Sequence, residues 1–163
     1  MQKTLDIEMV RVLTQPVVPK ALHYINPRKI MGEAKWKKLR KEYQIKADHH
    51  CMICKEYVKH VPGDWLELHE KYDYDFDKLI QRLTGYISIC HSCHAYIHEG
   101  LLNVQLRKGE VTESYVQAIL DRGDNLLREF NLEKIQYPNR KIFENPDWQL
   151  EFDGNFYSKK STD

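Results

Sequence analysis

The chain has 163 residues, 30% of them charged, a formal net charge of +1, eight histidines and four cysteines. With a mean hydropathy of −0.66 and no apolar run near the roughly 20 residues of a membrane span, a membrane-embedded role is excluded as an expectation. The charge is uneven: residues 1–60 hold 13 Lys+Arg against 6 Asp+Glu, residues 61–100 hold 3 against 7, and residues 101–163 hold 9 against 11. A basic N-terminal third suits a polyanion, or a merely solvated basic helix.

Along the chain, residues 4–12 alternate (Leu5, Ile7 and Met9 against Asp6 and Glu8), which predicts a half-buried strand. Pro16, Pro19 and Pro27 mark an irregular stretch. Residues 33–46 predict a helix with Trp36, Leu39 and Tyr43 as its apolar stripe and Lys35, Lys37, Lys38, Arg40 and Lys41 elsewhere. After the Pro62-Gly63-Asp64 turn, Trp65–Glu70 reads as a strand with Trp65, Glu67 and His69 on one face and Leu66, Leu68 and Glu70 on the other. Phe76, Leu79, Ile80 and Leu83 have helical spacing, with Asp75 as cap and Gly85 as terminator. Tyr86–Cys90 predicts a strand, and His91–Glu99 a helix stopped by Gly100. Val116, Ile119, Leu120, Leu127 and Phe130 predict a longer helix, with Gly123 weakening its middle. Trp148, Leu150 and Phe152 alternate before the Asp153-Gly154 turn and are expected to pair with the N-terminal strand; residues 158–163 are expected to fray. The chain reads as a single domain, 1–163.

All four cysteines fall in two C-x-x-C pairs, Cys51/Cys54 and Cys90/Cys93. The absence of a signal-peptide pattern implies a reducing, cytoplasmic setting, where such pairs bind metal. Each pair places two sulfurs on one side of an ion, so together they predict one structural zinc. A competing site from Cys51, Cys54, His94 and His98 needs a 39-residue gap and leaves Cys90 and Cys93 idle. On the helix after Cys93, His94 and His98 are four residues apart, on a common face away from that ion, and could grip a second cation. Packing or surface roles are the plain alternative for them, as for His23, His49, His50, His60 and His91.

Three segments together, Cys51-x-x-Cys54, Leu66-Glu67-Leu68-His69-Glu70 and Ile89-Cys90-x-x-Cys93-His94-x-x-x-His98, resemble the HNH nucleases (ββα-metal, or His-Me finger, nucleases) over about residues 48–100, and the subset with paired cysteines most of all. The flanking Trp36-Lys-Lys-Leu-Arg, the His69-Glu-x-Tyr-x-Tyr-Asp75 run and Trp148-Gln-Leu are similar to an uncharacterised bacterial and phage branch. The resemblance implies an α+β fold: a ββα-metal core on a four-cysteine zinc site, with a basic N-terminal extension (1–47) and a helical C-terminal extension (101–163), flanking helices and terminal strands. It implies a metal-dependent endonuclease hydrolysing DNA phosphodiesters in a bacterial cell or phage-infected host. His69 would be the general base, His94 and His98 the ligands of a catalytic Mg2+, Mn2+ or softer divalent ion, and Lys35, Lys37, Lys38, Arg40 and Lys41 the phosphate contacts. Two departures are visible. Leu68 stands where the family has Asp or His before the base, which hands that part to Glu67 or Glu70. A register with His69 as ligand and Glu70 as base also stays open. Gly85 stands where the middle Asn is expected; Asp73, Asp75 or Asp77 could orient the base, or simply cap a solvated loop. The other function class is a catalytically degenerate module binding DNA or a protein partner, such as a phage factor acting on host defence; self-association stays open too.

Overall fold

A computed structural model describes residues 5–134 and 139–159. The fold is α+β, with six α-helices and one four-stranded sheet among these residues. The predicted N-terminal strand is instead a short helix, α1 (Ile7–Val10), running into a 3-10 turn at Arg11–Thr14. Asp6 decides this locally: its carboxylate accepts from the Glu8 amide at 2.9 Å and caps the turn. Helical rather than alternating spacing then buries Val10 and Leu13 together in the main core.

The proline-rich stretch is extended at 15–19 and turns at Lys20–Leu22. Pro27 opens a helix rather than lying in irregular chain: α2 (Pro27–Met31) has Asn26 accepting from the Lys29 amide at 3.0 Å and proline at the first helical position. Gly32, at φ 89°, makes the corner into α3 (Glu33–Lys46), the helix expected over 33–46. Trp36 is buried on it, and the buried Gln44 donates to the Leu66 carbonyl at 2.9 Å.

The central unit is a hairpin followed by a helix. β1 (Glu67–Asp75) pairs antiparallel with β2 (Ile80–Ile89), with His69 opposite Ile87 and Glu67 opposite Ile89. The predicted short helix at 76–83 does not form. Asp75 accepts from the Asp77 and Lys78 amides, at 3.1 and 2.9 Å, and so shapes a hairpin turn, not a helix start. Gly85 therefore lies within β2, opposite Lys71 where the register shifts. α4 (His91–Ile97) ends at His98, whose φ and ψ of −95° and 45° are not helical, and α5 (Glu99–Arg107) starts at once. The expected stop at Gly100 is thus displaced: Gly100 is inside α5.

α6 (Glu113–Glu129) begins at Thr112, whose hydroxyl accepts from the Tyr115 amide at 3.2 Å. Gly123 has a packing reason: a Cβ there would overlap the Tyr96 ring of α4. β3 (Gln149–Phe152) and β4 (Asn155–Tyr157) form the C-terminal hairpin around Asp153 and Gly154. With no N-terminal strand to meet among the described residues, β3 runs parallel to β2, Leu150 facing Gln81, giving the order β1-β2-β3-β4. Two cores result: one joins α1, the Cys51–Cys54 turn, β2, α4 and α6, and a smaller one gathers Ala21 and Leu22 around Trp148 and Leu150. Of the segment expected to fray, 160–163 lie outside the described residues.

Candidate functional site

Two separate clusters of metal-ligating side chains flank the hairpin-helix unit. In the first, the sulfurs of Cys51, Cys54, Cys90 and Cys93 all lie within 4.8 Å of one another. Cys51 and Cys93 are 3.8 Å apart, as are Cys54 and Cys90, and all four are free thiols. A tetrahedron with Zn–S arms of about 2.3 Å has edges of about 3.8 Å. Two of the six edges match that figure and the cluster could hold a metal such as zinc. The first turn is shaped for it: Lys55, at φ 65°, donates its amide to the Cys51 carbonyl at 2.9 Å, and the Cys54 amide lies 3.5 Å from the Cys51 sulfur.

Arg122, from the middle of α6, covers this cluster. Its Nη2 lies 2.9 Å from the Cys54 sulfur, and its Nη1 lies 3.5 Å from Cys93 and 4.0 Å from Cys90. Glu56 braces the same guanidinium at 2.8 Å. Four thiols packed this closely share protons: hydrogen bonding from Cys51 holds Cys54 below the ordinary thiol range, and hydrogen bonding from Cys51 and Cys54 holds Cys93 above it. Burial opposes the charge on Arg122, but the neighbouring sulfurs, Cys54 first, raise its pKa nonetheless.

The second cluster brings together His69 of β1, His94 of α4 and His98 at the end of α4, one nitrogen of each lying within 4.8 Å of the others. Ring centroids are 4.6 Å apart for His94 and His98, 5.2 Å for His69 and His98, and 5.4 Å for His69 and His94. Glu67 does not join as a ligand-like neighbour; its Oε2 lies 3.2 Å from His94 Nδ1 and 3.4 Å from His91 Nδ1. That contact leaves His94 Nε2 to face the cluster, the carboxylate–histidine arrangement common at metal sites. Burial would raise the Glu67 carboxyl, but the adjacent His91 and His94 lower it to about 2.

His69 is 2% exposed. Burial, and then the neighbouring His94 and His98, hold its pKa well below the usual histidine value, so it is neutral. Burial and His94 likewise lower His98 to about 4. Gln15 sets the hydrogen bonding of His69. Its Oε1 accepts from the Tyr72 amide at 3.1 Å, which turns its Nε2 toward His69 Nε2 at 3.1 Å and the Glu70 carbonyl at 3.3 Å. Facing an N–H donor, His69 Nε2 is the unprotonated nitrogen, and the ring proton sits on Nδ1, a buried atom with no hydrogen-bond partner among the described residues.

A cleft of about 1090 Å3 opens over this trio and runs along β1, the end strand of the sheet. Glu70 and Arg40 also line it. Burial raises the Glu70 pKa above the ordinary carboxylate value. Of the predicted phosphate contacts, Arg40 alone reaches the cleft, while Lys35, Lys37, Lys38 and Lys41 are exposed on the solvent side of α3. The other expected bystanders stay outside both clusters: His49 packs against His60 at 4.3 Å and His50 against Tyr57 at 5.4 Å. The sequence pattern did not single out Gln15 or Arg122. Each acts from 29 to 68 residues away in sequence, and neither residue type is itself a metal ligand.

These features define a chain with a four-thiol cluster and a three-imidazole cluster on one hairpin-helix unit. No family model, curated protein or solved structure matches it. Among the described residues, no helix is long and apolar enough to cross a membrane.

Proposed function

We propose that the chain is a metal-dependent endonuclease of the HNH type, hydrolysing DNA phosphodiester bonds, with zinc in the four-cysteine cluster. The observation that carries this reading is the three-imidazole cluster: a histidine on the first strand of a β-hairpin facing two on the following helix. That is the order of elements the HNH resemblance implies. The cleft over the trio supplies access.

In this reading His94 and His98 hold a divalent cation, with Glu67 fixing the ring of His94 through Nδ1. Such a cation, when bound, offsets negative charge developing on the phosphate and the leaving oxygen. His69 takes the proton of the attacking water at Nε2, the unprotonated nitrogen of a neutral ring. In the resting site Gln15 donates to that nitrogen and keeps the ring in one tautomer, and the attacking water takes the place of the Gln15 amide on Nε2 before its proton is transferred. In the other register His69 is the third ligand, and Glu70, its pKa raised, receives the proton.

The test is nicking of supercoiled plasmid by the purified chain with Mn2+, Mg2+, Ni2+ or Zn2+ added in turn. Cleavage is expected, and His69→Ala is expected to abolish it while the metal content of the cysteine cluster and the melting temperature hold. Undiminished cleavage by His69→Ala refutes the assignment. No cleavage with any metal, alongside DNA retention in a gel, transfers the case to the binding module.

A further inference from the structure

The cleft over the histidine trio has an aromatic rim. Trp65 and Tyr24 both line it and are exposed, at 46% and 72%. Leu101 and Val17, each 59% exposed, line the same cleft. Large apolar side chains are usually exposed singly; four around one cleft form a patch that calls for a ligand. Two of them are flat rings. Among the described residues neither packs against another ring, and the Lys29 ammonium lies 5.1 Å from the Tyr24 ring centroid.

The polar groups of the cleft favour an anion. Glu67 Oε2 lies beside His91 and His94, at 3.4 and 3.2 Å, without a hydrogen bond among the described residues, and burial disfavours the charged form of Glu70, the other carboxyl group in the cleft. Arg28 is paired with Glu33 at 2.7 Å, but Arg40 turns into the cleft with a buried Nε that has no hydrogen bond among the described residues. A cation on the three imidazoles would add to that positive charge. An apolar peptide would bury these groups unpaired, at considerable cost. A polyanion carrying flat, apolar rings suits both halves of the cleft.

Stacked bases inside a duplex cannot reach a protein aromatic face, whereas unstacked bases do so readily, and each such stack contributes substantially to affinity. We propose that the cleft is a binding site for single-stranded nucleic acid, with bases stacked on Trp65 and Tyr24 and the intervening phosphate directed to the histidine trio past Arg40. At about 1090 Å3 the cleft matches the upper range of ligand sites, so it holds a short unpaired segment and not a lone base. The inference deepens the nuclease reading by naming its substrate as unpaired or locally melted strands.

Trp36 and Trp148 are buried, at 5% and 0% exposed, so Trp65 is the one solvent-exposed tryptophan and reports directly on stacking. The full chain, with no divalent cation added, is titrated with oligothymidylate and with a duplex of equal length. Tryptophan quenching is read for the wild type, and anisotropy of a labelled oligonucleotide for all forms. The single strand is expected to quench Trp65 and to bind at least tenfold tighter than the duplex at the same salt. Trp65→Ala and Tyr24→Ala are each expected to weaken single-strand binding about tenfold, and Trp65→Phe to restore most of it. Equal affinity for both strands, binding to neither, or alanine variants that bind like wild type overturn the proposal. Plasmid cleavage with no single-strand preference would sink this inference alone, and single-strand binding without cleavage would sink the nuclease reading alone.

Discussion

Arg122→Ala tests the cysteine cluster through a residue that is not a ligand. Four thiolates around a divalent ion carry a net charge of −2, and Arg122 is the cation set against them. It has one short contact, 2.9 Å to Cys54, and two longer ones, 3.5 and 4.0 Å, to Cys93 and Cys90. Outer partners of metal ligands typically contribute 10- to 100-fold in affinity, or about 1.4–2.7 kcal/mol at roughly 1.4 kcal/mol per decade. One short charge-assisted hydrogen bond alone accounts for about 1.5–3 kcal/mol, so the two scales agree. The variant should therefore lose zinc 10- to 100-fold more readily to a chromogenic chelator in a competition titration. Arg122→Lys should recover only part of this, since a single ammonium cannot span three sulfurs as the planar fork does. Equal zinc retention by wild type and Arg122→Ala would refute the charge argument; faster oxidation of the thiols by peroxide in the variant would add to it.

Three further outcomes are expected. Glu67→Gln should weaken Mn2+ or Ni2+ binding at the histidine trio by 10- to 100-fold in a calorimetric titration, because His94 loses the carboxylate on Nδ1, while the cysteine cluster keeps its metal. Gly123→Ala should lower the melting temperature: the gain of about 1 kcal/mol in helix propensity is outweighed by driving a methyl into the Tyr96 ring, and a rise in melting temperature would contradict the packing. With the trio metal-free, stability should fall as pH drops from 6.5 toward 4. The unfolded chain protonates His98 near 6.5, whereas the native site refuses the proton until about 4, so this stability is present above 6.5 and lost below it, about 3 kcal/mol for His98 and more with His69. Urea midpoints at pH 7 and pH 5 that coincide would count against neutral burial of these rings.

The two cysteine pairs were legible because a ligand pair in a tight turn is a local signal, and four sulfurs within 4.8 Å is what such pairs imply. His94 and His98 were legible for a similar reason, the i, i+4 spacing of a helix. The strand histidine needed only the alternation around Trp65–Glu70 to be placed facing them. Misreadings arose where a local pattern has two solutions. Ile7, Met9 and their neighbours alternate, but Asp6 can cap, and the cap prevailed. Phe76 to Leu83 has helical spacing, yet Asp75 accepts from amides two and three residues on in a hairpin turn as well as it would at a helix start. Gly123 reads as a helix weakness until the Tyr96 ring is found against it, a contact between elements that no window of α6 contains.

Gln15 and Arg122 show why the central unit cannot be understood without its flanks. A hairpin and one helix position the histidines, but the proton on His69 is set by a side chain from before α2, and the charge on the four sulfurs by one from α6. The Gln15 amide also behaves as a single residue of strand pairing, taking the Tyr72 N–H and giving to the Glu70 carbonyl on the end strand of the sheet. It thus ties the orientation of His69 to the seating of the N-terminal segment. Gln15→Ala would leave both clusters in place yet free His69 to adopt either tautomer. The variant should keep the zinc of the cysteine cluster and lose cleavage out of proportion to any loss of DNA binding. Full cleavage by Gln15→Ala would show that His69 needs no help from outside the hairpin.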